Sequence, residues 1–255
     1  MNSEEPKLAL FIDLENFVIG AREAKFKTFE VARILERLVE KGRILVKKAY
    51  ADWSRYKDYT RPFHEAGIEL IDIPQRGYSG KNSADIKLVV DAMDLCYSKE
   101  HLDIFVIASG DSDFAPLVAK LKENNKTAIG VGMRQSTSDL LASNCDEFIF
   151  YDELVQLPRR KPGRFKELPK EKQECFEIVL DAIDALRRED KEVIWGSMVK
   201  QTIKRKQPSF SESAYGYKSF SELLEEGAKL GLFGISKDRK SGSYVITAAG
   251  EKTGA

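Results

Sequence analysis

The chain is short of the residues on which many enzymes and small secreted folds depend. It has only 2 histidines, His64 and His101, among 255 residues. A serine–histidine hydrolase would have to use one of them. His64 falls inside a helical pattern and His101 just ahead of a strand, neither in a recognisable catalytic context. The 3 cysteines, Cys96, Cys145 and Cys175, are far apart. Their spacing gives no zinc site and no disulfide framework, so they read as small buried apolar residues. No stretch reaches the ~20 apolar residues of a membrane span. The start, Met1-Asn2-Ser3-Glu4-Glu5-Pro6, is too acidic and polar for a secretory signal. These absences lead to the expectation of a soluble, cytoplasmic chain with no membrane role. There is no internal repeat and no low-complexity segment. Net charge is missing too, since Lys+Arg and Asp+Glu both number 41.

What is there is unevenly placed. Residues 1–157 carry 21 basic and 26 acidic side chains, a net of −5, and residues 158–255 carry 20 and 15, a net of +5. An acidic front half suits a metal site, and a basic back half suits a polyanion. At 42% apolar residues there is enough material for a core, in one large domain or two ordinary ones.

Strand and helix patterns alternate through the first 155 or so residues. Apolar runs at 8–13, 44–51, 68–73, 102–108, 127–131 and 147–150 read as strands. Segments 28–41, 56–66, 84–97, 114–124 and 136–142 have helical spacing. Regular alternation of this kind predicts a three-layer α/β fold with a parallel sheet. Residues 157–168, with Leu157-Pro158-Arg159-Arg160-Lys161-Pro162-Gly163, read as a basic linker between domains at 1–156 and 169–255. Beyond it, helices at 171–188, 195–206 and 217–230 and short strands at 232–236 and 244–247 predict a small α+β winged-helix module.

Two acidic segments close apolar runs: Ile12-Asp13-Leu14-Glu15-Asn16, and Ala108-Ser109-Gly110-Asp111-Ser112-Asp113-Phe114. In an open α/β sheet ligands bind outside the carboxyl ends of the strands. Asp13, Asp111 and Asp113 should therefore gather at one edge. Carboxylates crowded together repel, and a hard cation such as Mg²⁺ or Mn²⁺ offsets that repulsion with oxygen ligands. Asn16 can orient Asp13 or meet a phosphate, or simply cap a turn. Glu15 is expected to point away from Asp13. Asp85, in a first helical turn, is either a ligand from the neighbouring element or a complement to the helix dipole. Asp91 and Asp94 read as local pairs or solvated face. For Asp111 and Asp113 the plain alternative is a helix cap, which needs one acid rather than two. Ser109 and Ser112 can hold water or phosphate oxygens. Lys81 and Arg76, and Lys47, Lys48, Arg55 and Lys57, are phosphate candidates. Tyr56, Tyr59 and Tyr78 are either stacking platforms or packing.

In their order along the chain, Asp13 with Asn16, Lys81 with Asp85, and Ser109 to Phe114 resemble the NYN branch of the PIN-like nucleases, over residues 7–155. That resemblance implies a Rossmann-like, PIN-like sheet. It implies Asp13, Asp85, Asp111 and Asp113 as catalytic metal ligands around Mg²⁺ or Mn²⁺, with Asn16, Lys81, Ser109 and Ser112 toward the substrate. The implied activity is endonucleolytic cleavage of RNA, expected single-stranded. Tyr215-Gly216-Tyr217-Lys218-Ser219-Phe220-Ser221-Glu222-Leu223-Leu224, with Leu230-Gly231-Leu232-Phe233, resembles a LOTUS (OST-HTH) domain over residues 168–249. It implies RNA or a protein partner, with Lys200, Lys204, Arg205, Lys206 and Lys218 as candidate contacts. Tyr215 and Phe220 read as core. A non-catalytic RNA-binding adaptor is the main alternative. A haloacid-dehalogenase-like phosphatase fits less well, because that chemistry wants D-x-D and the chain has Asp13-Leu14-Glu15. Nothing in the sequence reads a 2′-hydroxyl, so DNA stays open as a substrate. Oligomeric state is not encoded in any motif.

Overall fold

A computed structural model describes residues 5–26, 28–74, 82–156, 168–239 and 241–247. The chain divides into two compact units, Met1–Leu38 with Gly42–Leu157, and Val39–Lys41 with Pro158–Ala255.

The first unit is a six-stranded parallel sheet in the order β3-β2-β1-β4-β5-β6. The strands are β1 (Lys7–Asp13), β2 (Arg43–Ala51), β3 (Glu69–Asp72), β4 (Ile104–Ala108), β5 (Thr127–Gly132) and β6 (Glu147–Phe150). The helices are α1 (Leu14–Glu23), α2 (Val31–Lys41), α3 (Lys57–Glu65), α4 (Ser83–Ser98), α5 (Ala115–Glu123), α6 (Asp139–Asn144) and α7 (Tyr151–Gln156). Because side chains alternate along a strand, β1 sends Leu8, Leu10 and Ile12 to one face and Ala9 and Phe11 to the other. β4 does the same with Val106 and Ala108 against Phe105 and Ile107. One face is covered by Phe17 and Val18 of α1, Ile34 and Leu38 of α2, Phe63 of α3 and Leu154 of α7. The other is covered by Leu88 and Ala92 of α4, Val118 and Leu121 of α5 and Leu141 of α6. Strands buried on both sides read as continuous apolar runs, which is why they were visible in the sequence.

Two elements depart from the sequence reading. Residues 14–23, where a turn was expected to open at Asn16, form α1 with no loop after β1. Gly20 weakens helix propensity there, but it is buried, and a Cβ on it would lie 2.7 Å from Ser136 Oγ. Close packing therefore selects glycine and holds the helix. Residues 151–156 form α7, anchored by buried Tyr151 and Leu154.

The strand order reverses between β1 and β4, since the chain moves outward through β2 and β3 and then returns to the far side of β1. Such a reversal opens a crevice at the carboxyl ends of the two central strands. β1 itself ends in Asp13, and Asp111 follows three residues after the end of β4.

In the second unit α8 (Lys170–Arg188), α9 (Gly196–Lys206) and α10 (Phe220–Lys229) pack against an antiparallel sheet in the order β7-β9-β8, made of β7 (Ile194–Trp195), β8 (Gly234–Lys237) and β9 (Tyr244–Thr247). Its core joins Phe176, Val179, Ile183, Val199, Leu223, Phe233 and Ile246. Ser219 caps α10 by accepting from the Glu222 N–H at 3.2 Å, and Glu222 reaches back to the Lys218 N–H at 2.7 Å. This is the winged-helix arrangement expected from the pattern, with β7 as an added short strand.

Candidate active site

Asp13 ends β1 and caps α1, so its carboxylate sits at a helix N-terminus with only 7% of the residue exposed. Oδ1 accepts from the Asn16 N–H at 3.2 Å, and Oδ2 accepts from the Ser109 hydroxyl at 3.1 Å. Ser109 is fully buried at the end of β4. Its oxygen also accepts from the Asp111 N–H at 3.2 Å, so one hydroxyl ties the loop after β4 to the end of β1. The Asn16 side chain makes a second tie, accepting from the Gly110 N–H at 2.9 Å. Gly110 itself lies against a third segment. A Cβ there would meet Ser136 O at 2.8 Å and the Thr137 Cα at 3.0 Å, while its carbonyl accepts from the Ser138 N–H at 2.9 Å.

Asp111 and Asp113 do different local jobs. Asp111 caps the 3₁₀ turn Ser112–Phe114 by accepting from the Asp113 N–H at 3.0 Å. Asp113 is exposed and Ser112 half-buried, while Phe114 is fully buried and pins the turn. Asp85 is half-buried in the first turn of α4.

The electrostatics register these acids as neighbours. Burial, joined by the charges of Asp85 and Glu15, pushes the Asp13 carboxyl up to about 7, against the opposing hydrogen bonds from Asn16 and Ser109. Burial also pushes Asp85 up to about 6, with further upward pressure from Asp111, Asp113 and Glu15. Each shift records the cost of charging one carboxylate beside others in a partly dry place. Glu15, expected to point away from Asp13, has its carboxylate toward the end of β2 and still adds its charge to the acids. As α1 begins at Leu14, Glu15 stays in its first turn, where it acts on both Asp13 and Asp85 and faces the Asp52 N–H at 3.5 Å.

A further group borders these acids. Burial raises the Tyr56 phenol, the charges of Glu15 and Asp13 raise it further, and Arg55 and Arg22 oppose them. Arg22 escaped the sequence reading. Its signal is the spacing Glu15-Ile19-Arg22, one helix face, which is visible only once α1 is recognised.

Other expected contacts have structural work instead. Lys47 donates to the Ala66 carbonyl at the end of α3, and Lys48 pairs with Asp91 at 3.4 Å and Glu69 at 3.6 Å. Asp91 is a local pair as expected, accepting from Tyr50 at 2.9 Å and Lys87 at 2.6 Å. Lys81, Arg76 and Tyr78 lie outside the described residues. In the second unit Lys200 pairs with Glu212 at 2.7 Å, Lys206 pairs with Asp181 at 2.8 Å, and Lys204 donates to the Phe210 carbonyl. Lys218 is exposed, Phe220 is core and Tyr215 packs against that core.

An all-oxygen donor set of like-charged members, one of them buried, suits a hard divalent cation by chemistry. Among the described residues, however, no three Asp, Glu, His or Cys side chains stand together as a ready ligand group.

The family model for the NYN domain matches residues 7–152, and that for the OST-HTH/LOTUS domain matches residues 178–237. The uncharacterized protein MJ0482 of Methanocaldococcus jannaschii is 28% identical over 167 residues, 64% of this chain and 62% of that protein. The chain thus spans less than two thirds of that relative's length. Among solved structures, a protein of unknown function, VPA0982 from Vibrio parahaemolyticus, superimposes with a TM-score of 0.54 at 23% identity, covering 60% of this chain and 98% of that one. That likeness is one of fold.

Proposed function

Because the chain belongs to the NYN family and carries an OST-HTH/LOTUS domain after it, we propose that it is a divalent-metal-dependent endoribonuclease directed to RNA by its second domain. The two domains together mark an RNA-related nuclease or RNA-binding protein. NYN and PIN-like nucleases generally use divalent metals. The observation that carries the finer reading is the buried Asp13 at the sheet reversal, pushed up to about 7 by burial and by neighbouring acids. A purely structural carboxylate in that position gains nothing from such company, whereas a cation-binding one does.

In this reading Asp13, Asp85, Asp111 and Asp113 would hold Mg²⁺ or Mn²⁺. Bound there, the ion supplies an activated water and charge stabilisation on the phosphate. The Ser109 hydroxyl fixes the rotamer of Asp13 and lowers the cost of its ionised form. The Asn16 amide, by holding the Gly110 N–H, keeps the loops after β1 and β4 at a fixed separation. Ser112, half-buried in the 3₁₀ turn, and Lys81 are assigned to the phosphate. The expected substrate is single-stranded RNA. Domains at 1–156 and 169–255 joined by a basic 157–168 linker complete the proposal. The three free cysteines suit a reducing compartment such as the cytoplasm.

The separation of the acids favours one competing reading, an RNA-binding adaptor without turnover. End-labelled single-stranded RNA incubated with the full chain and Mn²⁺ or Mg²⁺ decides between them. The nuclease reading requires internal cleavage that EDTA stops and that Asp111→Asn/Asp113→Asn abolishes. RNA binding without cleavage under either ion would establish the adaptor.

A further inference from the structure

The proposed reaction leaves one face of the first unit unused. α4 buries Leu88, Ala92 and Cys96 against the sheet. On its outer side Ile86, Val90 and Tyr97 stand 63%, 55% and 61% exposed, and half-buried Met93, which also packs against the core, lies between them. The steps of four, three and four residues place all four in one narrow stripe along the helix, ~16 Å long at 1.5 Å per residue. Isolated exposed apolar side chains are ordinary, but an aligned row of this kind is the seam spacing of a helix that packs on another helix.

We propose that a second copy of the chain packs here, α4 against α4, antiparallel about a two-fold axis. The row is symmetric about the middle of α4 (Ser83–Ser98). Set antiparallel, Ile86 comes level with Tyr97 of the second copy and Val90 with Met93 of the second copy, so no apolar member is left over. The charges beside the row are self-complementary as well. Lys87, its side chain 46% exposed and paired with Asp91 of its own helix at 2.6 Å, and exposed Asp94 lie on the same flank. In an antiparallel pair like flanks meet, so Lys87 stands within two residues, or about 3 Å of helix rise, of Asp94 of the second copy. The two-fold axis makes this contact twice. A parallel pair brings opposite flanks together and loses it. With Asp85, Asp91 and Asp94 against Lys87, α4 carries a net charge of −2, which gives the stripe no attraction for a polyanion. That sign argues against RNA as the occupant, and the contact of Lys87 with Asp94 of the second copy argues for this chain. A single helix pair covers less than the ~1,200 Å² of standard interfaces, so the dimer is a reversible one.

The test is sedimentation velocity on the full chain over a concentration series. The expected result is a mass rising toward twice that of the monomer for the natural chain, and a monomer throughout for Val90→Glu, with the thermal melt of dilute Val90→Glu matching that of the dilute natural chain. Ile86→Cys and Tyr97→Cys chains, mixed and oxidised, should yield the mixed 86–97 disulfide. A natural chain that stays monomeric overturns the proposal, as does a dimer indifferent to Val90→Glu. Disulfides of 86 to 86 in place of the mixed species overturn the antiparallel arrangement. Loss of RNA binding by Val90→Glu with no change in mass would assign the stripe to RNA instead.

Discussion

Replacing Asp13 by asparagine should make the metal-free protein more stable, and only at neutral and higher pH. Folding raises the Asp13 carboxyl from 3.8 to about 7. Below pH 4 the carboxyl is protonated in both folded and unfolded chains, and it costs nothing. As the pH climbs from 4 to 7 the unfolded chain has released the proton while the folded chain still holds it. Stability therefore falls with rising pH through that window, and the full cost is present above 7. The shift of about 3 units corresponds to about 4 kcal/mol at ~1.4 kcal/mol per unit. Asparagine keeps an oxygen for the Asn16 N–H and serves well at a helix N-terminus, and its NH₂ donates to the Ser109 hydroxyl in place of the bond that Asp13 accepts from it, so Asp13→Asn removes the charge at a cost that does not vary with pH. Unfolding in urea, followed by the fluorescence of buried Trp53 in a Trp195→Phe background, reports on the first unit alone. Relative to its parent, Asp13→Asn should gain up to about 4 kcal/mol between pH 4 and pH 8. Mn²⁺ at pH 8 should restore the parent and leave Asp13→Asn unchanged. A difference between the two that stays constant from pH 4 to 8 would refute the reasoning.

Three other substitutions probe the same scaffold. Ser109→Ala removes a hydroxyl that donates to Asp13 and accepts from Asp111; it should cost about 1–3 kcal/mol in urea unfolding and move the acid limb of the cleavage pH profile upward. Gly110→Ala drives a Cβ to 2.8 Å from the Ser136 carbonyl oxygen and 3.0 Å from the Thr137 Cα. Backbone cannot yield as a side-chain tip can, so a loss of roughly 1–3 kcal/mol with loss of cleavage is expected from melts and RNA assays. In the second unit Gly227→Ala sets a Cβ 2.5 Å from the Phe233 ring and 3.2 Å from the Phe176 ring. RNA affinity measured by filter binding should fall while the Trp53-reported unfolding of the first unit stays unchanged.

Much of the fold was readable because its strands are buried on both faces. Runs such as Leu8–Ile12 and Ile104–Ala108 have no polar member to confuse the period, and glycines or prolines close several of the elements between them. The acids at the ends of β1 and β4 were readable too, through the general rule about strand carboxyl ends. The pairing of β1 with β4, which makes those ends neighbours, was not, because it joins residues about 96 apart that no local pattern connects. α1 was hidden by Asn16 and Gly20, residues that locally favour turns and are held in the helix by Gly110 and by the Ser136 segment. Missing α1 concealed Arg22. The division of labour between Asp111, which caps, and Asp113, which stays exposed, is likewise a matter of backbone geometry that the pattern D-S-D does not carry.

The central claim is that these four acids serve one metal site. Diffraction at the manganese absorption edge, from crystals of the full chain soaked in Mn²⁺, addresses it directly. The account requires an anomalous peak at about 2.1 Å, the distance typical of Mg²⁺-like ligation, from carboxylate oxygens of Asp13 and at least one of Asp85, Asp111 and Asp113. Manganese bound elsewhere, with none of the four carboxylates touching it, would contradict the account.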